Sequence, residues 1–247
     1  MSLRSYRRIV TGKDLISFEI EIKETNLYIR ATRHLKTKAL RLTHKYRDQL
    51  ESYIVRHPEF TTSFIPLPVQ GDEPAIVKAM LEAGIKAGVG PMASVAGAIA
   101  EFVGSELQLY TQEIIIENGG DIFLKLLQKR VVGIYAGESP FSGRIGLEVE
   151  PQETPLGICT SSGTVGHSVS LGKVDAVVII SPSATLADAA ATAIGNKVKK
   201  ENDIASGLES AQNIEGVTGI IIIKGDKMGS WGNLKLCSTV TDPENHE

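Results

Sequence analysis

VDAVVIISPSATLADAAATAIGN, residues 174–196, reads as a buried strand running straight into a small-residue helix whose single acidic position is Asp188. Ala176 to Ile180 form a short apolar, largely β-branched run of the kind covered on both faces of a sheet. Ser181 and Pro182 then offer a capping hydroxyl and the proline that fits a first helical turn, so the helix is expected to start near residue 182. Alanine at 184, 187, 189, 190, 191 and 193 favours helix and leaves it little bulk, which lets backbone or ligand come close. Gly195-Asn196 ends it. Asp188 and Thr192 are four apart and lie on one face, one above the other.

A carboxylate and a hydroxyl on a shared patch suit a hard cation, with water or phosphate completing the octahedron that magnesium prefers. The plainer alternative has Asp188 solvating an outer face while Thr192 bonds back to its own helix. A carboxylate this near a helix N-terminus gains roughly 0.3–1 kcal/mol from the dipole, which serves either use.

The chain has 247 residues and a net charge of −3, with a pI near 6.0. That length buries a full core, and the charge balance lacks the basic footprint of a nucleic-acid binder. Arg30, Arg33, Lys36, Lys38, Arg41, Lys45 and Arg47 read as a solvated helix face, with a patch for an anionic partner as the alternative use. Cys159 and Cys237 are far apart, which fits a reducing cytoplasm rather than a disulfide scaffold. The basic N-terminus lacks the continuous apolar stretch of a signal peptide, and no run approaches a transmembrane span, so no membrane partner is expected. Residues 1–241 are taken as one α+β domain, and 242–247 as a disordered tail.

Residues 5–12 and 16–33 alternate apolar and polar positions around a turn at 23–26, as antiparallel strands joined by a hairpin do. Leu35, Ala39, Leu42, Tyr46, Leu50 and Ile54 then repeat at helical spacing up to His57-Pro58. A proline-bearing connector over 59–72 leads to a helix from Pro74 to Gly88. Gly88 to Leu107, GVGPMASVAGAIAEFVGSEL, is a glycine-rich loop around Gly90 that enters a helix whose free N–H groups can hold an anion. Tight helix packing is the alternative use of the same small residues. Helices 91–106 and 182–195 are expected to meet at one cleft.

Ile114 to Ile116 is another buried strand, ending in Glu117-Asn118-Gly119-Gly120-Asp121. Two glycines there mark either a sharp turn or the close pass of a ligand, bracketed by Asn118 and Asp121. Residues 131–136, 144–150 and 157–160 are expected as successive strands of one sheet. The loop that follows, SSGTVGHSVSLGK, is polar and flexible, which nominates Ser161, Ser162 and Gly163 as binding residues. Within it His167 is a candidate acid or base. Cys159 just before it is a candidate nucleophile if a neighbour lowers its pKa, and otherwise a buried structural thiol. Further on, 203–212 reads as a helix, 220–224 as a strand, 226–229 as a turn and 232–239 as a last strand.

GPMA (Gly90 to Ala93), NGGD (Asn118 to Asp121) and SPSATLADAAATAIG (Ser181 to Gly195) together resemble, in order and spacing, the ApbE-like superfamily. Its best-known members are magnesium-dependent FAD:protein FMN transferases. More closely, GVGPM, NGGDI, VVGIYAGESP, GICTSSGTVG and LADAAATAIGN are similar to an uncharacterised ApbE-like family of anaerobic prokaryotes, over about residues 50–240. The resemblance implies an α+β fold of mixed or antiparallel sheets flanked by helices. It also implies a metal site. The transferases hold magnesium with the Asp and Thr of an Ala-Asp-x-x-x-Thr helix and a backbone carbonyl of a Gly-Gly-Ile-Ala-Lys-Gly loop. Those ligands fall here on Asp188, Thr192 and the Ala93 carbonyl, with Gly119, Gly120 and Asp121 beside the flavin. Two departures matter: Ser94 takes the place of the loop lysine, and TVGHSVSLGKVDA replaces a His-x-x-Asp-Pro-x-x-Gly motif. The likeness therefore speaks for the fold and the pocket and not for FMN transfer to protein.

Three readings result. One is an enzyme that binds Mg2+ and a flavin or other nucleotide, FAD or FMN, between the Ala93 loop, the Asn118 turn and the Asp188 helix. Another is a non-catalytic flavin-binding accessory protein. The third, suggested by association with the uncharacterised family, is a component of anaerobic sulfur assimilation toward homocysteine, for which Cys159 is the relevant residue. In each the partner is a small molecule, and a homo-oligomer is compatible with the sequence.

Overall fold

Ile114, Ile115 and Ile116 are all buried, and so is every residue from Ala176 to Ser181. Strands apolar at consecutive positions need cover on both faces. The computed structural model, which describes residues 14–162 and 174–239, shows how they get it. In chain order the elements are β1 (Ile16–Ile22), β2 (Thr25–Ala31), α1 (Lys36–Arg56), α2 (Glu59–Thr62), α3 (Ala75–Ala87), a 3-10 turn Pro91–Ser94 and α4 (Val95–Leu107). Then come β3 (Ile114–Asn118), β4 (Asp121–Lys125), β5 (Arg130–Gly133), β6 (Ile145–Val149), β7 (Leu156–Ser161) and β8 (Ala176–Ser181). The chain continues with α5 (Ala184–Lys197), α6 (Ile204–Gln212), β9 (Gly219–Lys224), β10 (Lys227–Gly232) and β11 (Lys235–Ser238).

The large sheet has the order β1-β2-β3-β4-β7-β8-β9-β10 and the small one β11-β6-β5. All pairings among the described strands are antiparallel. The pleat sorts side chains between two cores. Ile114, Ile116, Val177, Ile179, Ile220 and Ile222 pack with the helices. Ile115, Val178, Ile180, Ile221 and Ile223 pack instead with Val132, Leu147 and Val149 of the small sheet. The architecture is thus three layers, with the large sheet in the middle, and its class is α+β with antiparallel sheets flanked by helices. An ion group with a buried Arg130–Glu113 pair and an exposed Asp14 clasps the two sheets together. Arg130 at the start of β5 donates to Glu113 at 2.6 Å and to both oxygens of Asp14 at 2.8 and 2.7 Å.

Several boundaries differ from the sequence expectation. The helix after β8 starts at Ala184, because Ser183 caps it by accepting the Leu186 N–H, and Pro182 stays outside. Residues 131–136 and 144–150 contribute to the small sheet while 157–160 lie in the large one, so they are not neighbours in one sheet. The expected turn at 226–229 is mostly strand β10, because the chain turns at Gly225-Asp226, and the expected last strand at 232–239 is the shorter β11. The basic segment is not one solvated face either. Arg30 is buried in β2, and Arg47 and Lys45 pair with Glu24, Glu51 and Glu106. The expected strand at 5–12 and the tail at 242–247 lie outside the described residues. No single helix among those described is long and apolar enough to cross a membrane.

Helix α5 is the hub. It packs on α3, α4, β7 and β8, and all of it is buried except Thr192, Asn196 and Lys197. Alanine makes this possible, and so does Gly97 on α4. A Cβ at Gly97 would overlap the Ala184 carbonyl and lie 2.8 Å from Asp188 Cβ. Gly97→Ala is therefore expected to force α4 away from α5 and to cost about 1–3 kcal/mol. Denaturant titration of the variant tests this, and an unchanged midpoint would show that the two helices are not held at this separation.

Candidate functional site

Asp188, Thr192 and Asn196 follow one another at four-residue spacing on α5. The three residues of α5 that escape burial, Thr192, Asn196 and Lys197, all line one cleft, as does Asp188. Its volume is about 680 Å3, within the range of small-molecule sites. The facing wall is the chain from Gly88 to Ala96, with Phe64 beside it and Asp121 contributed by β4.

Asp188 is tied to this wall. Its Oδ2 accepts the Gly97 N–H at 2.8 Å, at the start of α4. Burial drives its pKa up to about 7, against the opposing pull of the Gly97 and Ala96 N–H groups. Thr192 Oγ1 stands 3.5 Å from the Ala93 carbonyl, long for a hydrogen bond, so both oxygens face the same space with weak mutual commitment. Two of the elements expected at one cleft, the Ala93 loop and the Asp188–Thr192 face, do meet there.

Asp121 arrives by a two-residue hairpin. Gly119 and Gly120 have φ of +68° and +107°, and Asn118 pairs with Asp121 across them. That is the left-handed pair a tight hairpin demands, and only glycine adopts it without strain. Asn118 Nδ2 donates to the Ala96 carbonyl at 3.1 Å, fixing the hairpin to the start of α4. Gly120 N–H donates to Glu117 Oε1 at 2.8 Å. Asp121 Oδ1 is buried with no hydrogen-bond partner. Burial, and then the charge of Asp188, hold the Asp121 carboxyl well above the usual carboxylate range. Strand β4 itself was not anticipated, because Asp121 reads as a turn residue until the hairpin gives it a partner strand.

The other nominated residues fare differently. Most N–H groups of the glycine loop are not free. Those of Gly88 and Val89 donate to Gly84 O, that of Gly90 to Phe64 O and that of Ala93 to Gly90 O. The start of α4 does receive an anion, but it is the protein's own Asp188. Cys159 is fully buried and its thiol donates to Ala184 O at 3.3 Å. Burial and the Asp121 and Asp188 charges push its pKa up, which is the reverse of nucleophile activation. Ser161 ends β7 against Gly195 and, with Ser162, is not among the residues lining the cleft. Gly163 and His167 lie outside the described residues. Reading the sequence also missed Glu101, which accepts from Ser183 Oγ, Thr185 N and Thr185 Oγ1 at 2.9, 2.8 and 2.7 Å and so anchors the start of α5. Its signal was a lone acid inside an otherwise apolar helical turn. Phe64 and Lys197, both on the cleft, carried none.

The two raised carboxyls have a consequence for stability. Asp titrates near 3.9 in an unfolded chain, so from roughly pH 4 to 7 the folded state binds more protons than the unfolded one. Metal-free stability should then fall as pH rises through that window. Asp121→Asn removes one of the two charges, and is expected to raise the melting temperature at pH 8 by roughly 2–6 °C and to change it little at pH 4.5. A lower melting temperature at pH 8 would mean that the Asp121 charge is compensated inside the protein.

Solved structures share this arrangement of layers. The flavinyl transferase ApbE of Pseudomonas stutzeri, in its apo form, superposes with a TM-score of 0.58 at 13% identity, covering 88% of this chain and 93% of that one. A mutant of the flavin transferase ApbE from Vibrio cholerae gives 0.58 at 15% identity, covering 88% and 96%. At such identities the likeness is one of fold. Among sequences, a UPF0280 protein of Methanococcus aeolicus is 43% identical over 226 residues, 89% of this chain and 91% of the relative. Another, from Methanocaldococcus jannaschii, is 43% identical over 221 residues, 87% and 90% of the two chains. Residues 7–220 match the family model described as AbpE bacteria, and the chain belongs to that ApbE-like family.

Proposed function

We propose that the chain binds a flavin nucleotide, FAD or FMN, together with one Mg2+ in the cleft between α5, the Ala93 wall and the Asn118 hairpin. The observation that carries this reading is the orphaned, buried Oδ1 of Asp121, in the same cleft as the buried carboxylate of Asp188. Two buried carboxylates with one oxygen unpartnered are costly unless a cation joins them. The donors at hand, Asp188, Asp121, the Thr192 hydroxyl and the Ala93 carbonyl, are all oxygens, which fits Mg2+ better than a soft metal. Among the described residues no three His, Cys, Asp or Glu side chains converge on one point. Ligand and water oxygens would then complete the shell, as Mg2+ usually accepts. When bound, the ion would offset the charge of the nucleotide's phosphates.

The chain's own contribution is placement. Asn118 and Glu101 hold α4, α5 and the hairpin in mutual register. Of the hairpin residues Asn118, Gly119, Gly120 and Asp121, Asp121 alone is among the residues lining the cleft, so the hairpin acts by aiming that carboxyl. Phe64, 75% exposed, and Met92 give the wall an apolar, polarisable surface suited to a planar ring. The likeness of fold to flavin transferases supports the choice of flavin.

A non-catalytic flavin-binding role is the second reading, and Ser94 favours it over transfer. Its hydroxyl is buried and donates to Pro91 O at 2.8 Å, so it brings no charge to the cleft. Moving a phosphoryl group relies on positioned positive charge. The sulfur-assimilation reading gains nothing from Cys159, which is fully buried.

Titrating FAD with and without Mg2+, followed by flavin fluorescence, tests the proposal. Binding is expected to depend on Mg2+, and Asp188→Asn should weaken it at least tenfold with the fold intact, since Asn still accepts the Gly97 N–H but lacks the charge. Equal binding by parent and variant would remove Asp188 from the metal site. Incubation with FAD, Mg2+ and a threonine-bearing acceptor peptide is expected to leave the peptide mass unchanged, and a flavin adduct formed at an enzymatic rate would restore the transferase reading.

A further inference from the structure

Charge in the cleft is lopsided. Of the described side chains lining it, Asp121 and Asp188 are acidic and Lys197 alone is basic. Backbone donors do little to make up the difference, because the N–H groups of Gly88, Val89, Gly90, Ala93 and Gly97 all donate within the protein. Ser94, at the place of the transferases' loop lysine, spends its hydroxyl on Pro91 O. Lys86, which is close in sequence to the glycine wall, pairs with Glu215 at 3.7 Å and does not line the cleft. Lys197 is different. It is exposed at the last residue of α5, and no ion pair with it exists among the described residues.

We propose that Lys197 is the phosphate-binding residue of this cleft, receiving the part of a diphosphate-bearing ligand that lies away from the Asp121–Asp188 carboxylates. This rests on the nucleotide reading above and names its anion site. Lys197 lies nine positions after Asp188, about 13 Å along the axis. The lysine therefore does not address the atom that the carboxylates address. Its flexible stem lets the ammonium reach back along the cleft to the far side of a diphosphate whose near side faces a cation held by the carboxylates. An ammonium suits this role because it donates to phosphate as a compact point charge from a flexible stem. The alternative use of Lys197 is to sit favourably at the negative end of the α5 dipole, which would affect stability and no ligand.

Affinities of FAD, riboflavin and ADP, each with Mg2+, for the parent chain, Lys197→Ala and Lys197→Arg separate these uses. Lys197→Ala is expected to weaken FAD and ADP about tenfold, to leave riboflavin within twofold, and to flatten the salt dependence of FAD binding. Lys197→Arg should restore most of the loss, and the melting temperatures of all three proteins should agree within about a degree. Equal losses for FAD and riboflavin, or none for FAD, overturn the assignment while leaving flavin binding intact. If the parent binds ADP and no flavin, a tenfold loss of ADP in Lys197→Ala upholds Lys197 and overturns the flavin. A parent chain that binds none of the three overturns both.

Discussion

The hydrogen bond from Gly97 N–H to Asp188 Oδ2 joins residues 91 positions apart and sets the spacing of everything around the cleft. It requires Gly97 to have no side chain, since a Cβ there would collide with the Ala184 carbonyl. It also requires α5 to be small-faced enough to sit among α3, α4, β7 and β8 at once, which its alanines allow. The start of α4, where helix N–H groups would otherwise attract an external anion, is filled by an internal carboxylate. That substitution decides the character of the site. The cleft presents acid inward, and on the proposed reading its positive charge comes from a bound cation and from Lys197.

The strength of the local pattern determined what could be read from the residues. Strand β8 and helix α5 were visible because the apolar run, the alanines and Gly195 agree with one another. The face shared by Asp188 and Thr192 follows from helical spacing alone, and the same spacing extends to Asn196. Ser183 rather than Ser181 is the cap because Glu101, from another helix, binds Ser183 and Thr185, a tertiary contact that no local rule contains. Residues 131–136 and 157–160 look equally strand-like. Only packing assigns one to the small sheet and the other to the large. The hairpin at Gly119-Gly120 was legible as a turn, but its use in burying Asp121 beside Asp188 depends on β3 and β4 pairing in register. The glycine loop suggested free donors, and internal carbonyls occupy most of them instead.

The shared layers explain how this family keeps the architecture of the ApbE transferases at 13–15% identity. Isoleucine-rich strands with cover on both faces and a small-residue helix against them are packing demands that many side chains satisfy. Site chemistry is less tolerant. Ser94 closes its own turn with Pro91, and among the described residues lining the cleft the basic side chain is Lys197 at the end of α5. A ligand held between the Asp121–Asp188 pair and Lys197 would be gripped at two points along its length. Such an arrangement serves retention of a cofactor as readily as chemistry upon it.

The central claim is that the buried carboxylates exist to share a divalent cation. Anomalous diffraction from crystals grown with FAD and Mn2+ in place of Mg2+ tests it most directly. The account predicts a manganese peak within coordination distance of Asp188 and facing Thr192 and Asp121, in the same cleft as flavin density. Flavin density in the cleft with no manganese beside Asp188, or manganese bound only elsewhere on the molecule, would contradict it.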